Sequence, residues 1–209
     1  MYHLNSNLQH YVDRWYGVIG PLNHDPVRFN LSVQLESRRK VSISPEEFHE
    51  ALDHLVINAM AAMSGLGNMC GVDIIERWQP EVPGELILRT KDYERSTIVE
   101  VEDNGCGINP KNIVATDDLR KFFGIKTDYD AVNHVFKMGV STKGSNGAGL
   151  YFAQWTIEDE GKGRIYVVGT TYSVNGKSGK PKKLVTIGEH HSRSTGTVFR
   201  IEFPYKCKK

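Results

Sequence analysis

Residues 101–108, Val101-Glu102-Asp103-Asn104-Gly105-Cys106-Gly107-Ile108, join the end of a strand-like run to an acidic residue and a glycine turn. The run from Thr97 to Glu102 predicts a β-strand, which delivers Asp103 at its end. An Asp-Asn-Gly sequence is also ordinary turn chemistry, because these residues tolerate the backbone angles of tight turns. Taken alone, the stretch therefore indicates only a carboxylate held at the end of a strand.

Two further segments extend this turn into a predicted ligand pocket. Upstream, His54-Leu55-Val56-Ile57-Asn58-Ala59 belongs to an amphipathic helix, and downstream Lys143-Gly144-Ser145-Asn146-Gly147-Ala148-Gly149-Leu150 forms a second glycine cluster. A carboxylate can accept a hydrogen bond from the exocyclic amine of adenine, and an Asn oxygen is a suitable ligand for Mg²⁺. Glycine-rich backbone can surround phosphates. The three segments together predict a nucleotide pocket.

The composition indicates a soluble globular chain that works in a reducing compartment. The 209 residues carry a net charge of +1, which gives no support for a nucleic-acid or membrane partner. Cys70, Cys106 and Cys207 have no metal-ligand spacing, and no run of about 18 apolar residues or apolar signal core is present. We therefore expect a cytoplasmic protein, with no membrane segment in this chain.

Periodicity predicts an α+β fold, a two-layer sandwich in which helices cover one face of a mostly antiparallel sheet. Ser44, Pro45 and Glu47 form a capping box, which begins a helix that ends at Ser64-Gly65. The other predicted helices lie near residues 4–16, 117–123, 130–137 and 149–160. The predicted strands lie near residues 27–36, 85–90, 97–102, 163–171, 183–187 and 197–203, with Asn175-Gly176 at an exposed hairpin tip.

The predicted organisation is one domain, residues 25–209, preceded by an N-terminal helical extension, residues 1–24. The apolar stripe of the first helix is expected to pack on its own domain, with pairing to a partner's helix as the alternative. Residues 109–146 have weak periodicity and are too long for an ordinary connection, so we expect them to form a lid.

The helical segment places three polar residues, Glu50, His54 and Asn58, at successive positions four residues apart. A solvated helix face would show the same stripe. The small residues beside Asn58, including Ala62, leave room for a ligand or a lid. In the second glycine cluster, Thr142 and Lys143 could add a hydroxyl and a charge to a phosphate cradle, although the order of residues is not that of a Walker loop.

The order of these motifs resembles the GHKL ATPase superfamily, and within it the ATP-binding domain of sensor histidine kinases. The matching segments are residues 54–59, 103–108, 139–143, 147–151 and 196–199, and the resemblance covers roughly residues 27–204. It implies a Bergerat fold with Mg-ATP bound between the helices and a mobile lid. In such kinases the γ-phosphate passes to a histidine on a separate dimerisation helix pair.

Carried over position by position, the resemblance implies a role for each residue. Asn58 would hold Mg²⁺, Asp103 would bind adenine with support from Thr197, and His54, Glu50 and Lys143 would be catalytic. The implied ATP-binding residues are Asn58, Ala62, Asp103, Gly105, Gly107, Ile108, Thr142, Lys143, Gly144, Asn146, Gly147, Ala148, Gly149, Leu150 and Thr197.

Departures from the family pattern leave two functions open. His54 stands where hydrolysing members place a water-activating glutamate, so it either accepts a proton, oriented by Glu50, or orders a metal-bound water. This favours a histidine protein kinase, whose acceptor histidine lies on a missing segment or another protein. The unmatched lid segment around Leu119 and Phe123 favours a free-standing ATPase or ATP-gated switch.

Overall fold

A computed structural model describes residues 2–19, 29–64, 84–113, 117–137, 148–172, 182–184 and 196–205 of the chain. The helices are α1 (Leu4–Ile19), α2 (Pro45–Ser64), α3 (Pro110–Ile113), α4 (Asp117–Phe122), α5 (Asp128–Asn133) and α6 (Gly149–Trp155). The strands are β1 (Tyr2–His3), β2 (Phe29–Leu35), β3 (Lys40–Val41), β4 (Gly84–Asp92), β5 (Ser96–Asp103), β6 (Arg164–Tyr172), β7 (Lys182–Leu184) and β8 (Gly196–Pro204).

Six of these strands form one mixed sheet in the order β2-β4-β5-β8-β6-β7, while β1 pairs with β3 separately. The pair β2-β4 is parallel and the other pairs in this sheet are antiparallel. Alternate residues of β4, β5 and β8, among them Leu88, Val99 and Ile201, share one buried core with Phe48 and Leu55 of α2. The predicted two-layer α+β architecture is therefore confirmed.

Capping boxes set the first residues of two helices, α2 and α5. The Ser44 hydroxyl accepts from the Glu47 amide at 3.2 Å and the Glu47 carboxylate accepts from the Ser44 amide at 3.2 Å, so the predicted capping box is formed. The helix predicted at 130–137 begins earlier, at Asp128, because Thr127 forms a second capping box with Asp130. It gives way to a 3₁₀ turn over His134–Phe136, and α6 continues into a π-helical turn over Thr156–Glu160.

The first helix packs on its own domain. Its apolar stripe lies in the same core as the sheet: Leu4, Leu8, Tyr11, Val12 and Trp15. Asp53 of α2 accepts hydrogen bonds from Tyr11 Oη at 2.9 Å, Trp15 Nε1 at 3.0 Å and Arg14 at 2.8 Å. The predicted boundary at residues 24 and 25, like the predicted hairpin tip at 175–176, falls outside the described residues.

The described part of the predicted lid is helical and largely anchored. Val135 and Phe136 belong to the main core, and Ile125 and Ala131 form a smaller cluster. By contrast, the Phe122 side chain is 81% exposed.

No helix in the described ranges has the length and apolar character needed to cross a membrane.

Candidate nucleotide-binding site

The turn after β5 holds Asp103 in a buried position. Its side chain is 2% exposed, and Oδ1 accepts a hydrogen bond from the Gly105 amide at 2.8 Å. Asn104 fastens the turn to β4, because its Oδ1 accepts from the Glu85 amide at 2.8 Å and its own amide donates to the Glu85 carbonyl at 3.2 Å. The carboxylate therefore stands on a turn whose backbone is fixed from two sides.

The same turn lies directly against the end of α2. The Cys106 amide donates to the Ala62 carbonyl at 3.0 Å, and a Cβ added at Gly105 would lie 2.7 Å from the Ala62 Cβ. Real Cβ atoms essentially never approach so closely, so this contact requires glycine at Gly105. Gly107 has φ of 71°, which also favours glycine. The sequence predicts only that these two glycines let the backbone approach a base. The structure adds a second reason at Gly105, which is its close packing against Ala62.

Asp103 has two buried threonines beside it in the sheet. Thr197 of β8 is its cross-strand partner, and Thr170 of β6 is in turn the partner of Thr197. Thr170 and Thr197 are both 3% exposed, and their hydroxyl oxygens lie 3.3 Å apart. Thr197 is predicted from the sequence and Thr170 is not, since Thr170 appears there only as a polar residue near the end of a predicted strand.

Two more predicted residues, His54 and Asn58, lie on α2 next to the first residue of α6. A Cβ added at Gly149, the first residue of α6, would lie 3.3 Å from His54 Nδ1 and 3.6 Å from Asn58 Nδ2. The His54 ring stacks on Phe152 with centroids 6.3 Å apart and an interplanar angle of 24°. The structure therefore brings the helix motif and the end of the second glycine cluster into contact.

The remaining predicted residues occupy less informative positions. Glu50 is exposed on α2 one turn before His54, and among the described side chains no hydrogen bond joins the two. Leu150 packs against the main core, and Ala148 immediately precedes α6. The other predicted residues of this loop lie outside the described residues: Thr142, Lys143, Gly144, Asn146 and Gly147.

Asn58 fits a magnesium ion that arrives with a nucleotide. Its Nδ2 donates to the His54 carbonyl at 2.6 Å, which directs Oδ1 away from that carbonyl. Within the described ranges, no group of three or more His, Cys, Asp or Glu residues could hold a metal by itself. Mg²⁺ commonly takes one or two protein ligands and completes its shell with waters and phosphates.

The last two turns of α2 connect the two halves of the site. Asn58 and Ala62 are four residues apart and so lie one above the other on the helix. Asn58 lies beside Gly149, while Ala62 contacts the Asp103 turn through Gly105 and Cys106. Three segments distant in sequence thus converge along about 6 Å of one helix.

Comparisons with known proteins point to one family. The model for histidine kinase-, DNA gyrase B-, and HSP90-like ATPases matches residues 43–206. The catalytic domain of histidine kinase ThkA, nucleotide-free, is 17% identical with a TM-score of 0.56, and the alignment covers 97% of this chain and 95% of that one. Mycobacterial sensor histidine kinase MprB is 14% identical with the same TM-score and the same coverage.

A further similar structure contains ThkA in complex with the response regulator protein TrrA. It is 16% identical, has a TM-score of 0.51, and the alignment covers 97% of this chain and 40% of that one. At these identities the structural matches show a shared fold. Among proteins with curated descriptions, none matches the sequence.

Proposed function

This chain belongs to the family of histidine kinase-, DNA gyrase B-, and HSP90-like ATPases, and we propose that it is the catalytic domain of a histidine protein kinase. In this proposal it binds Mg-ATP and transfers the γ-phosphate to a histidine on a separate domain or protein. The bond from the γ-phosphorus to its bridging oxygen breaks, a bond to an imidazole nitrogen forms, and ADP leaves.

The convergence of the Asp103 turn and the start of α6 on α2 is the observation that supports ATP binding. A Cβ added at Gly149 would lie 3.3 Å from His54 Nδ1 and 3.6 Å from Asn58 Nδ2, and one turn later the Ala62 carbonyl accepts from the Cys106 amide in the turn that carries Asp103. A single nucleotide could therefore reach Asp103 with its base and Asn58 with its phosphates.

Each residue has a chemical task in this proposal. The Asp103 carboxylate would accept a hydrogen bond from the adenine amine, whereas a guanine carbonyl at that place would face an acceptor and leave both groups unpaired. Asn58 would hold Mg²⁺, which when bound neutralises phosphate charge. His54 would accept a proton or order a water, and Glu50, Thr142 and Lys143 stay predictions from the sequence.

The position of His54 favours phosphoryl transfer over hydrolysis. An imidazole, stacked here on Phe152, replaces the glutamate with which hydrolysing members activate water. We expect the isolated chain to bind Mg-ATP while releasing phosphate very slowly. Incubation with labelled ATP and candidate acceptor proteins should yield an acid-labile phosphoprotein. A robust ATPase rate that disappears in Asn58→Ala would instead identify a hydrolase.

Exposed aromatic residues favour a second candidate, an ATP-gated switch that associates with a partner. Phe122 is 81% and Phe123 48% exposed at the end of α4, within the predicted lid. In this alternative, nucleotide binding changes the association of the chain. Light-scattering mass measurements of the apo, ADP and non-hydrolysable ATP states would then differ, and identical masses in all three states would contradict it.

A further inference from the structure

We propose that Thr170 is a positioning residue for the adenine side of the pocket, acting through the Asp103 turn and the Thr197 hydroxyl. The inference rests on the proposed ATP-binding function and adds a residue to it. The Thr170 Oγ1 accepts a hydrogen bond from the Ile108 amide at 2.7 Å. It thereby holds the far end of the turn that begins at Asp103.

A β-bulge brings the Thr170 side chain to this side of the sheet. Val167 pairs with Phe199, but Gly169 and not Val168 pairs with Val198, so β6 contains one extra residue at that point. In an unbroken register Gly169 would stand opposite Thr197, and the Thr170 side chain would point to the opposite face. The bulge instead places Thr170 opposite Thr197 in the row that contains Asp103.

The hydroxyl of Thr170 has all of its hydrogen-bonding capacity in use. A threonine hydroxyl has one proton to donate and two lone pairs that accept. One lone pair accepts from the Ile108 amide, and the oxygen lies 3.2 Å from the Gly196 carbonyl and 3.3 Å from the Thr197 hydroxyl. If the Thr170 hydroxyl donates its proton to the Gly196 carbonyl, its second lone pair can accept the proton of the Thr197 hydroxyl. This arrangement orients the Thr197 hydroxyl, which lies beside Asp103.

Loss of the Thr170 hydroxyl should reduce the free energy of ATP binding more than it reduces the free energy of unfolding. Thr170→Val keeps the volume but leaves the part-buried Ile108 amide without its acceptor, so we expect the Kd for ATP to rise about tenfold. The preference for ATP over GTP should fall as well. Thr170→Ser restores the hydroxyl and should bind ATP within about threefold of the wild type.

Thr97→Val is the matched control. Thr97 is a fully buried threonine on the same face of the sheet, at the opposite end of β5, and its hydroxyl bonds to Asp92 and Tyr205. It should lower thermal stability and leave the Kd for ATP unchanged. If the Kd of Thr170→Val for ATP equals that of the wild type, the positioning role of Thr170 is overturned, while the proposed ATP binding is unaffected.

Two outcomes separate this inference from the proposed function. Failure of the wild-type chain to bind Mg-ATP removes the proposed function and this inference together. Should Thr170→Val fail to fold, amide exchange in the wild type decides. The Ile108 amide is expected to be protected in the nucleotide-free protein and to stay protected in Thr170→Ser, which keeps the acceptor oxygen, and exchange at the rate of a free amide would overturn the assignment.

Discussion

At the scale of single residues, Asp103 is the position where the proposed base recognition can be changed with least disturbance. Asp103→Asn retains an oxygen that can accept from the Gly105 amide, so the turn should persist. The amide group presents a donor toward the base where adenine also has a donor. We expect affinity for ATP to fall about tenfold and the ATP-over-GTP preference to fall with it.

Competition titration of ATP and GTP against a fluorescent nucleotide measures this change. Cys106→Ser is the control, because it alters an exposed side chain of the same turn and keeps the amide that donates to Ala62. An unaltered ATP-to-GTP ratio in Asp103→Asn would contradict the assignment of Asp103 to adenine.

At the residue scale, the sequence predicts a residue's neighbours where a motif fixes the local backbone. Asp103 and Thr197 could be paired by resemblance, and the structure makes them cross-strand neighbours. Thr170 could not be found, because a one-residue bulge decides which face it occupies. The contact of Gly105 with Ala62 was also hidden, since it depends on how closely the turn approaches α2.

At the scale of elements, one carboxylate ties together the ends of several strands opposite the nucleotide site. Asp92 ends β4 and accepts from the Ser37 hydroxyl at 2.7 Å, the Arg38 amide at 2.8 Å, the Thr97 hydroxyl at 2.7 Å and the Tyr205 hydroxyl at 3.2 Å. Burial acts to raise the pKa of Asp92, but these donors outweigh it and the pKa is lowered.

The sign of the resulting pH dependence follows from linkage. A carboxyl with a depressed pKa stabilises the fold above its unfolded pKa, near about 3.9, and this contribution is lost as pH falls through the folded value. Asp92→Asn should therefore lower the free energy of unfolding at neutral pH, by about 1 kcal/mol because solvent screens this partly exposed carboxylate, and by less at about pH 3. Denaturant unfolding at the two pH values measures the difference.

Glu94→Gln provides the control for this experiment, since Glu94 is an exposed acid in the turn between β4 and β5. It should leave the unfolding free energy nearly unchanged at both pH values. A loss of stability in Asp92→Asn that is equal at neutral and acid pH would contradict an ionic role for Asp92.

Element boundaries were predictable where capping chemistry is explicit, as at Ser44 and Glu47, and less so where it is not. The helix at Asp128 begins before its predicted start because Thr127 and Asp130 form a capping box there, although the residue at N3 is Asp and not the more usual Glu or Gln. The strand order was beyond prediction. Placing β8 between β5 and β6 depends on pairings across about 30 to 100 residues, which local periodicity does not encode.

At the scale of the whole molecule, α2 connects the N-terminal helix, the core and the site. Asp53 binds α1, Leu55 packs in the core, and His54 and Asn58 face Gly149. A displacement of α2 would therefore alter all three at once.

The central claim is that segments carrying Asn58, Asp103 and Gly149 hold one Mg-ATP, and calorimetric titration tests it most directly. We expect one site in the wild-type chain, with Asn58→Ala losing magnesium-dependent affinity more than metal-free affinity, and Asp103→Asn weakening both. If both variants bind Mg-ATP as tightly as the wild type, the claim is contradicted.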